Sequence, residues 1–372
     1  MNPSQRTGTL HHRVRVALIL PLVALLGLAS PAVSAKPAPH PELTVMTRNL
    51  YLGSSLAPAV DAETLPELIG AVAEIYGTAV FTDFPTRATA IADEIARTEP
   101  DLIGLQEVSN WTVTPAANPA AGAPSFDFLT ILLGALTAKG LDYSVAGVSN
   151  NALIGPLPLV APAAGCVDPF APDCLVTFAD RDVILVNDAT RGLRIRNSRS
   201  GQFTAQEVLN TPGGPLSFAR GWVSVDARYQ GKSFRFVNTH LETEDYEDVQ
   251  EAQAAEFVSG PARGRQTIAV GDFNSAADGS STNSYAQLTA PRAFTDAWTV
   301  NPGDDGLTCC QNSTVTNTAS ELNSRIDLIL TRGPIRPLAA EVVGDTPFRA
   351  QGPARPIWAS DHAGVVASVR IR

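Results

Sequence analysis

Basic residues are scarce in this sequence relative to acidic ones. Its 372 residues include 27 lysines and arginines against 37 aspartates and glutamates, which gives a formal net charge of −10 at pH 7. Residues 1–35 contain three arginines and no acid, so the rest of the chain carries a net charge of −13. This balance argues against a broad basic surface that grips nucleic acid by its phosphates, although a bound cation could still create a small positive site.

Cysteine is also rare, and the four cysteines fall in two close pairs. An even count favours disulfides in an exported chain, and we expect Cys166 to bond Cys174 across a short Pro-rich loop. For Cys309 and Cys310 three alternatives stay open: a vicinal bridge, cross-pairing and free thiols. A zinc site is not expected there, because no other histidine or cysteine lies at ligand spacing nearby in the sequence.

Few histidines are available for chemistry. Of the five, His11 and His12 lie in the N-terminal segment and His40 lies in a Pro/Ala-rich tail. Only His240 and His362 belong to the predicted folded body, and both fall at strand ends beside other polar groups. A single histidine on a strand is usually structural, but this placement favours a functional role for His240.

The hydrophobic run near the N-terminus is too short for a stable membrane span. It extends from Val16 to Leu28, follows Arg13 and Arg15, and precedes the small residues Val33-Ser34-Ala35. This pattern is typical of a cleavable signal peptide. We therefore expect residues 1–35 to be a signal and the protein to be secreted, with an uncleaved membrane anchor as the alternative.

Beyond the signal, the composition is that of an ordinary globular protein, 44% hydrophobic and 17% charged over the whole chain. We expect residues 36–42 to be a flexible tail and residues 43–372 to form a single domain. Hydrophobic patterning predicts strands at 43–50, 101–108, 182–186, 222–229, 232–240, 324–330 and 365–371, and helices at 86–98, 126–138 and 248–258.

Two further stretches have a less regular pattern. Residues 54–85 are predicted to be a helical or irregular insertion, and the Pro-, Ala- and Gly-rich stretch from Asn150 to Asp173 is predicted to be a loop. Arg194 and Arg196 are expected on one side of a strand, where a solvated sheet edge is the preferred interpretation and an anion contact the alternative.

The segment Ile268–Ser275 carries the most informative motif. Its apolar residues run into Gly271, after which Asp272 and Asn274 follow two positions apart, so that at a strand end both side chains turn to the same side. An aspartate can hold a cation or orient a water, and an asparagine can donate to an oxygen while accepting from that water. The pair suits metal-assisted hydrolysis, with a plain strand-to-turn exit as the alternative.

Other predicted strand ends also carry polar side chains. Each has a simpler interpretation: a turn cap, a solvent-facing acid, a structural histidine or a hairpin cap. Burying an acid on an apolar strand costs free energy unless the acid is paired, so we expect Asp327 to have a partner. The polar side chains at these ends are Asn49, Glu107, His240, Asp327, Asp361 and His362.

Taken together and in order, these ends resemble the motifs of the endonuclease/exonuclease/phosphatase superfamily, which includes DNase I, apurinic endonucleases, bacterial sphingomyelinases and inositol polyphosphate 5-phosphatases. The resemblance extends from about residue 43 to the end of the chain. It implies an α/β four-layer sandwich, in which two mixed β-sheets pack face to face with helices outside and the site lies at one end of the sheets. The matching segments are Asn49, Gln106-Glu107, Asn238-Thr239-His240, Gly271-Asp272-Phe273-Asn274, Arg325-Ile326-Asp327 and Ser360-Asp361-His362.

The resemblance also implies a metal site. Glu107 would be the principal ligand of Mg²⁺, with Asn49 beside it and Asp361 contributing. Oxygen ligands suit a small, hard cation, and Mn²⁺ or Ca²⁺ are alternatives to Mg²⁺.

By the same resemblance, the catalytic groups would surround the reacting phosphorus. Asp327 would orient His362, Asp272 with Asn274 would position or activate the attacking water, and His240 would donate to a non-bridging phosphate oxygen. The general base is assigned to the pair of Asp272 and His362 without choosing between them.

The resemblance is compatible with several substrates. We expect a secreted phosphodiesterase, with a nuclease slightly preferred over a phospholipid (sphingomyelinase-like) phosphodiesterase or a phosphatase. Residues 153–160 are the weak candidate for an apolar lipid-contacting loop. Either Asp180 or Asp182 could support His240. A non-catalytic binding protein on the same fold is the alternative from another class, and a monomer without a stable protein partner is expected.

Overall fold

The computed structural model describes residues 40–117, 125–160, 166, 172–348 and 356–372. The expected signal at residues 1–35 lies outside these described residues, as does most of the expected tail. Within the described ranges, no helix has the length and apolar character needed to cross a membrane.

Most secondary-structure elements of the described chain are strands. The strands are β1 (Glu42–Asn49), β2 (Leu102–Gln106), β3 (Asn110–Pro115), β4 (Ser125–Asp127), β5 (Tyr143–Leu159), β6 (Cys174–Asn187), β7 (Leu193–Gln202), β8 (Val208–Thr211), β9 (Gly214–Ser217), β10 (Gly221–Tyr229), β11 (Lys232–His240), β12 (Thr267–Asp272), β13 (Thr295–Asp296), β14 (Asp327–Arg332), β15 (Ile335–Val343) and β16 (Gly364–Ile371). The α-helices are α1 (Ala57–Val60), α2 (Leu65–Phe81), α3 (Phe84–Thr98), α4 (Phe128–Ala138), α5 (Glu247–Ser259) and α6 (Ser284–Leu288).

The strands form two large mixed sheets and one hairpin. The eight-stranded sheet has the order β15-β16-β1-β2-β6-β3-β4, with β5 pairing β6 beside this path. The six-stranded sheet has the order β13-β14-β12-β11-β10-β7, and β8 pairs only with β9. Parallel pairing joins β1 to β2 and β11 to β12, so these four strands end at the same edges of their sheets.

Alternation along the strands explains why the sheets pack as layers. On β1, Val45 lies in a core shared with strands of the other sheet, whereas Met46 lies in a second core with α2, α3 and α4. On β12, Ile268 lies in the shared core and Ala269 lies in a third core with α5 and α6. Because successive side chains point to opposite faces of a strand, each sheet is covered on both faces. The four-layer α/β sandwich expected from the sequence is confirmed.

The prediction of a loop from Asn150 to Asp173 is wrong over its first part, because β5 continues to Leu159. The strand persists where β6 offers a pairing partner, and the ladder passes from Ile154 opposite Phe178 to Leu157 opposite Val176. That register shift omits the residues of the strand that pair poorly, Gly155 and Pro156. Turn-forming residues therefore mark an irregularity here and do not end the strand.

The edge-strand prediction agrees with the structure. Strand β7 ends the order of the six-stranded sheet, and both Arg194 and Arg196 are exposed there. The expected bridge between Cys166 and Cys174 is also present, with the two Cα atoms 5.5 Å apart.

A buried arginine ties α3 to the loops that carry the polar strand ends. The Arg87 guanidinium donates to the carbonyls of Leu50 (2.7 Å), Tyr51 (3.1 Å) and Ala359 (3.1 Å), and to that of Thr82 (3.0 Å) at the end of α2. It thereby fixes the chain that leaves β1 against the chain that enters β16.

We expect Arg87→Met to lower the free energy of unfolding by about 3–5 kcal/mol, because it orphans several buried carbonyls at once. Urea denaturation measures this loss. Arg97→Met on the same helix is the control, since Arg97 is exposed and pairs with exposed Glu341, and its cost should stay under about 1 kcal/mol. Equal costs for the two variants would contradict this role of Arg87.

Candidate active site

The polar strand ends meet because the strands that carry them are paired in register. Asn49 lies opposite Gln106 on the parallel pair of β1 and β2. On the other sheet, His240 lies opposite Asp272 and Asp272 lies opposite Asp327. Side chains separated by as many as 313 positions in the sequence therefore share one end of the sandwich.

Asn49 links the two sheets at this end. Its amide Nδ2 donates to Glu107 Oε1 and to Asp272 Oδ2, at 3.1 Å each, while its Oδ1 accepts from the Tyr51 N–H at 2.8 Å. Glu107 Oε2 also accepts from the Leu52 N–H at 2.6 Å. The amide of Asn49 thus holds the carboxylates of Glu107 and Asp272 apart and oriented.

Two site residues have backbone conformations that are uncommon outside glycine. Glu107 follows β2 with φ at +52°, and Asn274 follows β12 with φ at +49°. Such conformations are uncommon for non-glycine residues and cluster at functional sites. In both places the turn directs a polar side chain toward the same end of the sheets.

His362 and Asp327 form a buried pair. His362 Nδ1 lies 2.8 Å from Asp327 Oδ2, and Nε2 on the other side of the ring lies 3.7 Å from Asp272 Oδ2. Although burial favours the neutral imidazole, the pKa of His362 is held well above its usual value by Asp327 and, after it, by Asp272 and Asp361. The Ser360 hydroxyl donates to the Asn49 carbonyl at 2.8 Å and so anchors this loop to β1.

Asp272 is the acid on which the other groups converge. Its Oδ1 accepts from the Asn274 N–H at 3.0 Å, and its Oδ2 lies 3.5 Å from His240 Nε2 as well as near Asn49 and His362. Burial raises the pKa of Asp272 to about 6; His362 opposes the rise and Asp327 adds to it. Asp272 is therefore ionised at neutral pH.

His240 is supported by an arginine. Arg220 Nη1 lies 3.1 Å from His240 Nδ1, and Asn274 Nδ2 lies 3.1 Å from His240 Nε2. The arginine is itself held by Glu242, whose Oε1 accepts from Nη2 at 3.2 Å. Burial, and then the positive charge of Arg220, hold the pKa of His240 well below its usual value, so this imidazole is neutral.

Sequence reasoning missed Arg220, although the predicted hairpin contained the signal. The turn at Gln230-Gly231 places Gly221 opposite His240, so the residue before β10 lies beside the histidine. Counting back from a two-residue turn identifies this neighbour. The sequence proposed Asp180 or Asp182 instead, and within the described chain no hydrogen bond joins either of them to His240.

Asp180 and Asp182 are buried without full compensation. Asp180 Oδ2 accepts from Asn151 Nδ2 at 3.3 Å, whereas Asp180 Oδ1 and both oxygens of Asp182 have no hydrogen-bond partner among the described residues. Burial raises the pKa of both acids, and Asp180 adds to the rise for Asp182. Asp180 also raises the pKa of Glu107, after burial.

The acids at this end fit a divalent cation. Burial raises the pKa of Asp361 to about 6, His362 opposes this rise, and Glu107 adds to it. Glu107, Asp180 and Asp361 line one cleft of about 570 Å³. A divalent cation would stabilise the ionised forms of these carboxylates, which burial disfavours, and oxygen donors are the ligands that such a hard cation prefers. Asp272, Asp327 and His362 also lie close enough together to share an ion.

The adjacent cysteines Cys309 and Cys310 lie beside the pair formed by His362 and Asp327. Cys309 and Cys310 are bonded to each other, which is one of the three alternatives that the sequence left open. Cys310 Sγ lies 3.7 Å from His362 Nε2. The sequence argument about zinc considered only nearby residues, and His362 reaches these sulfurs through the fold. In the bonded form, the sulfurs offer no thiolate to a metal.

The low pKa of His240 predicts a loss of stability in acid. An unfolded histidine gains its proton below about pH 6.5, while buried His240 does not, so the free energy of unfolding falls by up to about 1.4 kcal/mol per pH unit below that point. His240→Gln should remove this contribution, measured by urea denaturation between pH 5 and pH 8, whereas His40→Gln should not. Parallel curves for wild type and His240→Gln would contradict a neutral His240.

Comparison with known proteins agrees with this geometry. The model of the endonuclease/exonuclease/phosphatase family matches residues 77–362. No curated protein matches the chain. Many solved structures have a similar fold, among them three that cover most of this chain.

The first is an endonuclease/exonuclease/phosphatase family protein from Bacteroides thetaiotaomicron, with a TM-score of 0.53 and 16% identity over 89% of this chain and 96% of that chain. The second is humanized D. rerio TDP2, with a TM-score of 0.53 and 13% identity over 88% and 99%. The third is a Bacteroides thetaiotaomicron mannosyl-6-phosphatase, with a TM-score of 0.51 and 18% identity over 88% and 99%. At these identities the structures show a shared fold. The family match covers more than half of the chain and includes the site residues from Glu107 to His362, and the chain therefore belongs to the endonuclease/exonuclease/phosphatase family of phosphoester hydrolases.

Proposed function

We propose that this protein hydrolyses a phosphoester by in-line attack of water with the help of a divalent cation, Mg²⁺ in the first place and Mn²⁺ or Ca²⁺ as substitutes. The observation that carries the proposal is the amide of Asn49, which contacts Glu107 and Asp272 at once. The short side chain of Asn49 therefore connects Glu107, which is suited to bind a metal ion, to Asp272, which is suited to orient a water.

Glu107 and Asp361 would hold the cation. Both carboxylates line the cleft, and burial raises the pKa of Asp361, with Glu107 adding to the rise, so a cation bound by the two acids would stabilise their ionised forms. In the structure Asn49 contacts both acids through its NH₂ group, so a direct metal contact through its oxygen stays a prediction. When bound, the cation would neutralise charge on the phosphate oxygens and lower the pKa of a coordinated water.

The protein's own groups would hold the water and pass its proton. Asp272 accepts a hydrogen bond from the backbone of Asn274 and keeps its other oxygen toward His362, whose Nε2 is 3.7 Å away. A proton taken from water can therefore move within this pair, and we assign the general base to the pair. Asp327 holds the ring of His362 from behind and fixes its orientation.

His240 and Arg220 would bind the non-bridging phosphate oxygens. Neutral His240 keeps one N–H, and Arg220 keeps its charge beside Glu242. Two donors that are already fixed by other contacts stabilise the negative charge of the transition state without having to reorganise.

The charge of the cleft bears on the substrate. It is lined by six acids and one basic residue: Asp61, Glu107, Asp180, Glu242, Asp245, Asp361 and Arg220. A long polyanion would be repelled here, so we favour a substrate with one phosphate group over the nuclease activity that the sequence analysis preferred. Solved structures of this fold include TDP2 with a single-strand DNA product and a mannosyl-6-phosphatase, so the fold alone does not choose.

We also propose export and a single monomeric catalytic domain over residues 43–372. The bridge between Cys166 and Cys174 supports export, because such bonds persist in oxidising compartments. Size-exclusion chromatography with light scattering would test the monomer.

A panel of substrates tests the activity. Purified protein should hydrolyse bis(4-nitrophenyl) phosphate with Mg²⁺ and lose that activity in EDTA, and plasmid DNA, RNA and sphingomyelin belong in the same panel. Asp272→Asn is the inactive comparison, because it removes a carboxylate that touches the water. Hydrolysis by Asp272→Asn at the wild-type rate would exclude the proposal. Cleavage of plasmid DNA in preference to the small ester would instead support the nuclease activity that the sequence analysis preferred.

A further inference from the structure

An apolar recess lies beside the cleft that is lined by Glu107 and Asp361. Thirteen of its fourteen lining residues are apolar, the exception being Thr211. Its floor includes Trp111 and Phe178, whose rings are in contact, with centroids 4.5 Å apart. The indole N–H of Trp111 donates to the Leu52 carbonyl at 2.9 Å, so this nitrogen is not available to a ligand. The recess therefore selects for apolar surface.

The recess adjoins the cleft that is lined by Glu107, Asp361 and Arg220. Four side chains line both cavities: Leu56, Val60, Leu209 and Phe218. Phe218 is the closest link to the chemistry, since the guanidinium carbon of Arg220 lies 5.7 Å from its ring centroid. A phosphate held by Arg220 would therefore place one ester substituent over Phe218 and at the mouth of the recess.

The second link runs through the loop after β1. Leu52 accepts a hydrogen bond from Trp111 at the floor of the recess and donates its own N–H to Glu107 Oε2 at 2.6 Å. One residue thus connects the apolar floor to the carboxylate assigned to the cation. The recess and the reacting centre are fixed relative to each other by these bonds.

The size of the recess limits its occupant. Its volume is about 70 Å³, less than half of the roughly 150 Å³ of an apolar cavity that takes up benzene. By that comparison about three carbon atoms fit. A base, a sugar or a whole lipid chain is too large or too polar, whereas the first carbons of an alkyl group match both the size and the apolar lining.

We propose that the substrate is a phosphoester with an aliphatic substituent, the first carbons of which bind in this recess while the phosphate lies at Arg220. This rests on the proposed hydrolase function and names its substrate class. The acidic cleft agrees with it, because a single phosphate with an apolar substituent brings less negative charge than a polynucleotide.

Alkylphosphonates of increasing length test the proposal without being hydrolysed. They are added as competitive inhibitors of bis(4-nitrophenyl) phosphate hydrolysis, from methyl- to hexylphosphonate, and their binding is measured in parallel by calorimetry. The inhibition constant should fall about fourfold per added methylene until the recess is full, so about sixteenfold from methyl to propyl, and then level off.

Two variants place the effect in the recess. Ala59→Leu adds three carbons to a lining residue and should make propylphosphonate bind no better than methylphosphonate, while methylphosphonate should bind as it does to the wild type. Val80→Leu, at an exposed position on α2 outside the recess, should keep the wild-type dependence on chain length.

The outcomes separate the two proposals. No hydrolysis of the small ester under any metal condition overturns the hydrolase function itself. Hydrolysis with equal inhibition by methyl-, propyl- and hexylphosphonate leaves the hydrolase standing and overturns the recess as a substrate site. A chain-length dependence that survives unchanged in Ala59→Leu also overturns it, because the alkyl group would then lie elsewhere.

Discussion

His362→Ala is expected to lower kcat by about 10³- to 10⁴-fold. His362 Nε2 faces Asp272 Oδ2 across 3.7 Å, and Asp327 fixes the ring from behind at 2.8 Å, so the variant removes the proton-transfer partner of Asp272 that Asp327 holds in place. Steady-state hydrolysis of bis(4-nitrophenyl) phosphate at saturating Mg²⁺ measures the loss.

Two further variants test whether the loss comes from the role of His362. His40→Ala removes a histidine far along the sequence and exposed, and it should keep the wild-type rate. Asp327→Asn keeps the size of the group behind the ring but loses its charge, and it should reproduce much of the loss while shifting the acid limb of the pH–rate profile. A His362→Ala enzyme within tenfold of wild type would remove His362 from the chemistry.

Glu107→Gln is expected to raise the Mg²⁺ concentration for half-maximal activity by at least about 100-fold. The neutral amide keeps a ligand oxygen and the size of the side chain but lacks the negative charge that the cation needs. At 1 mM Mg²⁺ the rate should fall by about 10²- to 10³-fold and recover in part at high concentration. An Mg²⁺ titration of the initial rate measures both effects.

The matched control is Glu63→Gln, an exposed glutamate outside the cleft. Its Mg²⁺ dependence should overlay that of wild type, which excludes a general effect of lost charge. A Glu107→Gln titration that also overlays wild type would show that another group holds the ion.

The chain order of the polar strand ends made much of the fold predictable. Some of these ends, such as His240, follow a buried apolar run, and others, such as Asp327, precede one. The parallel pairing of β11 with β12 is what brings His240 level with Asp272. Local pattern alone could not show this pairing, since nothing near His240 in the sequence identifies its neighbour strand. The family resemblance supplied that information.

Other features depend on contacts that a linear pattern cannot contain. The extension of β5 past Asn150 follows from pairing with β6, which outweighs the turn-forming residues Gly155 and Pro156. The contact of Cys310 with His362 joins residues 52 positions apart. The recess beside Phe218 is assembled from α1, α2, β3, β5, β6 and the β8–β9 hairpin, so no single stretch of sequence carries its signal.

Arg220 could have been identified from the register of the predicted hairpin. It stands one position before a strand whose partner ends in His240, and a two-residue turn fixes that register. Asp180 and Asp182 show the opposite case. The sequence placed them near the site, as the structure does, but their unsatisfied oxygens could be recognised only once the surrounding side chains were in position.

Binding of Mn²⁺ to metal-free protein, followed by calorimetry alongside recovery of activity, tests most directly that these side chains hold a catalytic cation. Wild type should bind Mn²⁺ at the site and regain hydrolysis of bis(4-nitrophenyl) phosphate in proportion to occupancy, while Glu107→Gln should do neither at the same concentrations. Full hydrolysis by protein kept in EDTA, with no Mn²⁺ bound by wild type, would contradict the account.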